Sequence, residues 1–452
     1  MSRNQNVEIK DSGIEWIGEI PKHWSLKKIT HVTPIIGSGT TPKSDNKDYY
    51  EDGNINWLVT GDLNDGYVFQ TSNKVTQKAL DELSSLKIYP ENSLLIAMYG
   101  ATIGKLGILK TETTVNQATC VLKFDDSNSI DFWFYVFVGN RNYLVSLGYG
   151  GGQPNISQDV IKSLRFPSPP TLEEQKLISL YLDKKTSQID SLVEKIQKKI
   201  RLLKEQRTSL INQCVTKGID PNVEMKDSGV EWIVEIPKHW KISKIKYERS
   251  KEKYSLVDGP FGSDLKSEHY VDNGDVFVIE SGFVTKGSFQ QTREFKTISK
   301  DHFEKIRRSE CFEGDIIIAK IGEYYGMSSI LPNLGRETVV SGNSCRLKIS
   351  SENNVEFFHS VLLNLRYQGV IQREVNQTGQ PFISLGVIDN LHVFVPPLEE
   401  QQEIVEYMSE TISNIDRVIT LTTRKIKFLS EYRQSLISSV VTGKVRVTED
   451  MI

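Results

Sequence analysis

At 452 residues the chain is too long for one hydrophobic core, and its 38% hydrophobic and 25% charged residues have the balance of a soluble globular protein. Lys and Arg number 55 against 58 Asp and Glu, a formal charge of -3, which excludes a uniformly basic nucleic-acid binder but not local basic surfaces. No apolar run approaches the roughly 18 residues of a membrane span, and Met1 to Lys10 lacks the apolar core of a signal peptide, so a cytoplasmic location is expected.

The chain opens on a segment that it later repeats. Residues 6–29 carry Ile20-Pro-Lys-His-Trp24, and residues 222–245 carry Ile236-Pro-Lys-His-Trp240, 216 positions on. Leu-Glu-Glu-Gln follows a Pro-Pro pair twice, ending at Gln175 and at Gln401. Two like halves are expected. Each has the short frame, a long middle (30–166 and 246–394) and a helical tail (171–217 and 398–443). The middles differ; the frame and tails match.

In the first middle, Leu94 to Met98 and Ile55 to Val59 read as strands, with Gly100 and Gly104 as turn signals. Asp131 to Tyr143 reads as a helix. The second middle answers with strands at Asp315 to Lys320 and Val276 to Ile279, turns at Gly322 and Gly326, and a helix at Val355 to Tyr367. The mixture indicates an α+β fold. Each tail carries a helical stripe, opened in the first copy by a capping box at Thr171 and Glu174. The first stripe runs Ile189, Val193, Ile196, Ile200, Leu203, Leu210 and Cys214. The second runs Ile415, Ile419, Ile426, Leu429, Leu436 and Val440. Thr422 is a polar substitution in it, and Arg207 and Arg433 interrupt both stripes at matched places. A stripe this long needs a partner. The other tail would give an antiparallel coiled coil, with the middles at opposite ends of a rod; a helix over 172–215 spans about 66 Å. The alternative is that each tail packs on its own half.

Catalytic and cofactor motifs are missing. Gly100-Ala-Thr-Ile-Gly104-Lys105 has three residues between its glycines, and Leu106 stands where a phosphate loop places Ser or Thr, so it reads as a strand turn. No Asn-Pro dipeptide, Gly-x-Ser-x-Gly or His-Glu-x-x-His occurs. His23 and His239 read as frame residues beside tryptophans. Cys120, Cys214, Cys311 and Cys345 form no CxxC pair and read as buried thiols, with no metal site. The basic run Lys184, Lys185, Lys195, Lys198, Lys199, Arg201 and Lys204 reads as a solvated helix face, or as contact with a backbone or an acidic partner.

Two diverged middles on a repeated frame suit a ligand with two separated features. Duplex DNA fits, since one helical turn is about 34 Å. Candidate DNA-contacting residues in the first middle are Ser38, Thr40, Thr41 and Lys43 in a Gly-rich loop, with Tyr99, Lys105, Gln153, Asn155 and Ser157. In the second they are Phe261, Ser263 and Lys266 in the corresponding loop, with Tyr324, Tyr325, Thr378, Gln380 and Ser384. Gln and Asn can make bidentate contacts to adenine, and Ser, Thr and Lys hold phosphates.

Together these residues resemble the specificity subunit of Type I restriction-modification systems, over nearly the whole chain. The resemblance rests on Gly-x-Glu-Trp-Ile and Ile-Pro-x-His-Trp in both copies and on the Glu-Glu-Gln helix starts. Gly39-Thr-Thr-Pro42, Trp57-Leu-Val-Thr-Gly-Asp62 and the paired Gln-Pro-x-Ile-Ser add to it. It implies two target-recognition domains (1–168 and 219–394) separated by two spacer helices (169–218, and 395–452 with the C-terminal tail) in a pseudo-twofold antiparallel coiled coil. It implies that each domain reads half of a split DNA target and that the rod sets the unread spacer. It also implies partners: two modification subunits using S-adenosylmethionine to methylate adenine, and two motor-nuclease restriction subunits using ATP and Mg. This chain would be non-catalytic and bind none of those cofactors. A coiled-coil scaffold displaying two protein-binding domains is the rival reading.

Overall fold

The computed structural model describes residues 8–149, 155–230, 232–375 and 380–452. It divides into two compact units, residues 1–197 with 423–452, and residues 198–422. The first unit is discontinuous in sequence: the C-terminal stretch completes it.

In the first unit the apolar run forms the strand Leu94–Ala97, buried at every position. It is central to a five-stranded sheet in the order Ile35–Gly37, Thr119–Lys123, Leu94–Ala97, Leu106–Leu109, Gly66–Val68. Burial on both faces explains why the run is continuous rather than alternating. A smaller sheet joins Thr114–Val115, Ile55–Leu58 and Asn73–Val75. Gly100 and Gly104 take φ of +81° and +76°, so the Gly100–Lys105 segment turns the chain from one strand into the next. The expected helix at 131–143 is broken into Ile130–Gly139 and Arg141–Ser146. Asn140 ends the first piece by donating its side-chain amide back to the Val136 carbonyl at 2.8 Å.

The second unit repeats the scheme. Ile316–Ala319 is buried throughout, within a sheet ordered Leu256–Asp258, Ser344–Leu347, Ile316–Ala319, Ser328–Ile330. A second sheet holds Lys296–Ile298, Val276–Ile279, Thr338–Val340 and Glu310–Cys311, and the helix Val355–Tyr367 lies where expected. Gly322 and Gly326 have φ of +87° and +80°, matching the first unit's turn. All four cysteines are free and buried. Burial pushes the thiols of Cys120 and Cys311 up to about 12 and that of Cys214 up to about 11.

The repeated frame is a clamp. Strand Ser25–Lys28 pairs antiparallel with Arg165–Ser168, and Lys241–Lys244 pairs with His392–Val395, so each middle is closed where it begins and ends. Trp24 Nε1 donates to Glu174 Oε1 at 2.9 Å, and Trp240 Nε1 to Glu400 Oε1 at 3.0 Å. His23 and His239 reach the same carboxylates at 3.2 and 2.6 Å. Gln175 Oε1 accepts from Ser129 N, and Gln401 Oε1 from Asn354 N, both at 2.8 Å; Ser129 and Asn354 cap the aromatic-rich helices. Each Glu-Glu-Gln thus binds the frame with its second Glu and the middle with its Gln. The capping box forms only in half: Thr171 Oγ1 accepts from Glu174 N at 3.2 Å, but the Glu174 carboxylate is taken by the frame.

The tails form helices α1 (Leu172–Lys217) and α2 (Leu398–Val441). In the first unit the start of α1 (Ile178, Leu182, Ile189) shares a core with the end of α2 (Leu436, Ile437, Val440) and with the aromatic helix residues Phe132 and Trp133. In the second unit the end of α1 (Ile211, Cys214, Val215) shares a core with the start of α2 (Ile404, Met408) and with Phe357 and Phe358. Within each unit the helix segments pack on each other and on a middle: the two tails do pair, but neither packs on its own half alone, since each ends in the other half's unit. The interrupting arginines are explained: Arg433 Nε lies 2.9 Å from Asp190 in the first unit, and Arg207 Nε 3.3 Å from Asp416 in the second. These are matched residues in matched pairs, each Arg reaching the aspartate of the opposite helix.

Candidate nucleic-acid interface

In the first unit the Gly-rich loop is held by three aromatic side chains. Tyr89 donates to the Ser38 carbonyl at 2.7 Å, Trp57 Nε1 to the Thr40 carbonyl at 3.2 Å, and Tyr50 to the Pro42 carbonyl at 2.6 Å. Burial pushes the Tyr89 phenol up to about 12, so it remains a donor. Gly39 lies flat on the neighbouring strand, where an added Cβ would fall 1.7 Å from the Val115 carbonyl oxygen. The backbone bonds are spent inward, and Thr41 and Lys43 stand exposed. Thr41 Oγ1 donates to Gln117 Oε1 at 2.6 Å, adding an exposed amide that sequence reasoning missed.

The Ile-Ser ends of the Gln-Pro-x-Ile-Ser segments dock beside this loop's sheet in both units. Ile156 N donates to the Met98 carbonyl, and Ile383 N to the Lys320 carbonyl, at 2.8 and 2.9 Å. Both isoleucines are fully buried. Ser157 and Ser384 cap short helices by accepting from Val160 N and Val387 N. Each hydroxyl accepts that capping bond and keeps its own O–H to donate; Ser157 is exposed and Ser384 half-buried. Among the described residues, the first segment offers exposed Asn155 at its x position, and the second exposed Phe382 with exposed Gln380. Gln153 and Thr378 lie outside the described residues. Lys105 is exposed on the adjacent turn, and Tyr99 is half-buried against the core.

In the second unit Gly259 occupies the place of Gly39, its added Cβ 2.0 Å from the Ser341 carbonyl oxygen. Phe261, Ser263 and Lys266 follow, all exposed. Tyr324 is half exposed, but Tyr325 is buried in the core with the Arg366 guanidinium 5.3 Å from its ring centre. Tyr325 is thus a packing residue rather than a surface contact: the turn that follows the central strand sends its ring into the core and leaves that of Tyr324 outside. The stripe residues Ile189, Val193, Ile196, Ile200, Leu203, Leu210, Ile415, Ile419, Ile426, Leu429 and Leu436 are buried or half-buried, whereas Leu202, Leu421 and Phe428 outside the stripe are more than half exposed.

Among the described residues no cluster of His, Cys, Asp and Glu could hold a metal ion, and no helix is long and apolar enough to cross a membrane. The surfaces offer hydrogen-bonding groups, lysines and rings on rigid loops, which is equipment for recognition.

Comparison with known proteins agrees with this geometry. The model of the Type I restriction modification DNA specificity domain matches residues 21–202 and 262–429. The specificity subunit of the Type I restriction enzyme MjaIX from Methanocaldococcus jannaschii is 25% identical, with 96% of each chain covered. That of EcoKI from Escherichia coli is 21% identical, over 95% of this chain and 90% of the relative. Among solved structures, a chain from work on assembly and conformational transition of the type I R-M system superposes with a TM-score of 0.72 at 12% identity, covering 94% of this chain and 99% of that one. The HsdS subunit of Thermoanaerobacter tengcongensis gives 0.54 at 12% identity, over 94% and 98%. With two stretches matched across most of its length, the chain belongs to the family of Type I restriction-modification DNA specificity domains.

Proposed function

We propose that this chain reads a bipartite DNA duplex, each unit contacting one half-site through the loops at 38–43 and 155, and at 261–266 and 380–382. The chain is the DNA-recognition subunit of a Type I restriction-modification system and is not its enzyme. Methylation and cleavage then fall to partners: two modification subunits that carry S-adenosylmethionine and methylate adenine, and two restriction subunits that use ATP and Mg. The complex works in the cytoplasm, where its DNA is. The helices set the number of unread base pairs.

The observation that carries this reading is a repeated clamp around unlike surfaces. The Trp–Glu bonds, the Gln–cap bonds and the Arg–Asp pairs recur in both units, while the outward residues of the corresponding loops differ. Binding of the chain with its modification subunit should favour a bipartite sequence over random duplex, and should weaken steeply with salt as phosphate contacts release counterions. Equal affinity for random duplex would overturn the reading.

A further inference from the structure

The two units carry opposite chemistry at corresponding surface positions. Thr41 and Phe261 each lie two residues beyond the glycine pressed on the neighbouring strand, Gly39 or Gly259. Asn155 and Phe382 each precede the isoleucine that bonds the central strand's extension. The first unit thus presents a hydroxyl and an amide where the second presents two rings. Phe261 is 51% exposed and Phe382 47% exposed, unusual for phenylalanines held on short, bonded loops.

A buried cation organises the rings. Lys320 is 1% exposed, its ammonium paired with Asp258 at the end of the strand that leads into Phe261. Its Nζ sits 5.2 Å from the Phe261 ring centre and 5.3 Å from that of Phe382. A cation held between two ring faces fixes both rings relative to each other, and its burial keeps it from a phosphate. In the first unit Met98 takes the position of Lys320, its carbonyl accepting from the corresponding isoleucine.

Resting on the proposed DNA reading, we infer that the second unit reads its half-site by apolar contact between Phe261, Phe382 and a thymine methyl group, whereas the first unit reads by hydrogen bonds to the Thr41 hydroxyl oxygen, whose proton goes to Gln117, and with the Asn155 amide. Bare rings offer a base edge no donor or acceptor, and the thymine methyl is the apolar group of the major groove. Lys320 is a positioning residue: it sets the rings and touches no base.

The test is the methylated motif, base by base, in a host carrying the intact system with wild-type subunit, F261A, F382A, T41A or N155A. Each Phe variant should lose about tenfold of its discrimination at a thymine of one half-site and none in the other. T41A and N155A should relax the opposite half-site alone. Both rings are half exposed, so truncation should leave the melting temperature near wild type; if either variant melts early, F261Q and F382Q, which keep bulk and remove the apolar contact, take its place with the same expectation. Unchanged preferences in both Phe variants, or losses confined to positions without thymine, overturn the inference. A wild-type system that methylates no bipartite motif contradicts the DNA reading instead.

Discussion

The pairing of Lys320 with Asp258 shows how a single core position can differ between two otherwise matched units. The ammonium is buried and the carboxylate nearly so, with side-chain exposures of 2% and 17%. Removing one partner leaves the other without compensation. K320M should therefore cost about 3 kcal/mol in urea unfolding, and K320M with D258S, which installs the first unit's Met98 and Ser38, should recover most of it. A single variant as stable as wild type would contradict this account. Glu248 behaves differently. Burial pushes its carboxyl up, but hydrogen bonds from Ser243, Lys241 and Asn353 together outweigh burial and hold it below the usual range. A depressed carboxylate contributes stability above its unfolded pKa and loses it as pH falls through the folded value. E248Q should thus be destabilised at pH 7, by about 1–3 kcal/mol, and its deficit should shrink as the medium is acidified below the ordinary carboxylate range. A deficit that does not change with pH would refute the assignment. At this scale the sequence was only partly readable. Phe382 hid as the variable letter of Gln-Pro-x-Ile-Ser, and neighbouring Tyr324 and Tyr325 looked alike until the fold sent one outward and one inward.

The secondary-structure elements were far more legible. The runs at 94–98 and 315–320 hold fully buried strands, Leu94–Ala97 and Ile316–Ala319, because short, continuous apolar stretches followed by glycine turns have few other ways to hide. The stripes of α1 and α2 announced themselves by spacing alone. Illegible were the uses of single polar residues within the elements. Glu174 fits a capping box by spacing, yet a tryptophan from 150 residues away claims it. Arg207 and Arg433 break the apolar pattern, and only the opposing Asp416 and Asp190 show why. Exposed pairs like these contribute about 1 kcal/mol or less, so their value lies in fixing helix register. If the helices set the spacer, inserting residues into α1 near Lys204 should change the number of unread base pairs in the methylated motif and leave both half-sites intact. Altered half-sites with an unchanged spacer would show that α1 is no ruler.

For the whole molecule, the repeat in sequence pointed to two halves, and two units are found, but the boundary falls elsewhere than a simple cut. Residues 423–452 return to the first unit, where Gly443 abuts Pro21 and Trp24. Gly218 abuts Trp240 and Glu400 in the second. No periodicity encodes such contacts between distant segments; only packing reveals that each clamp receives a helix end as well as a helix start. Near-neutral net charge likewise said little, because a total averages over local surfaces of either sign. The central claim is that each unit reads its own half of one DNA target. Exchanging residues 30–166 for the corresponding segment of another specificity subunit, followed by methylome sequencing, tests it most directly. One half-site should change to that of the donor, with the other half-site and the spacer retained. A motif changed in both halves, or in neither, would contradict the account.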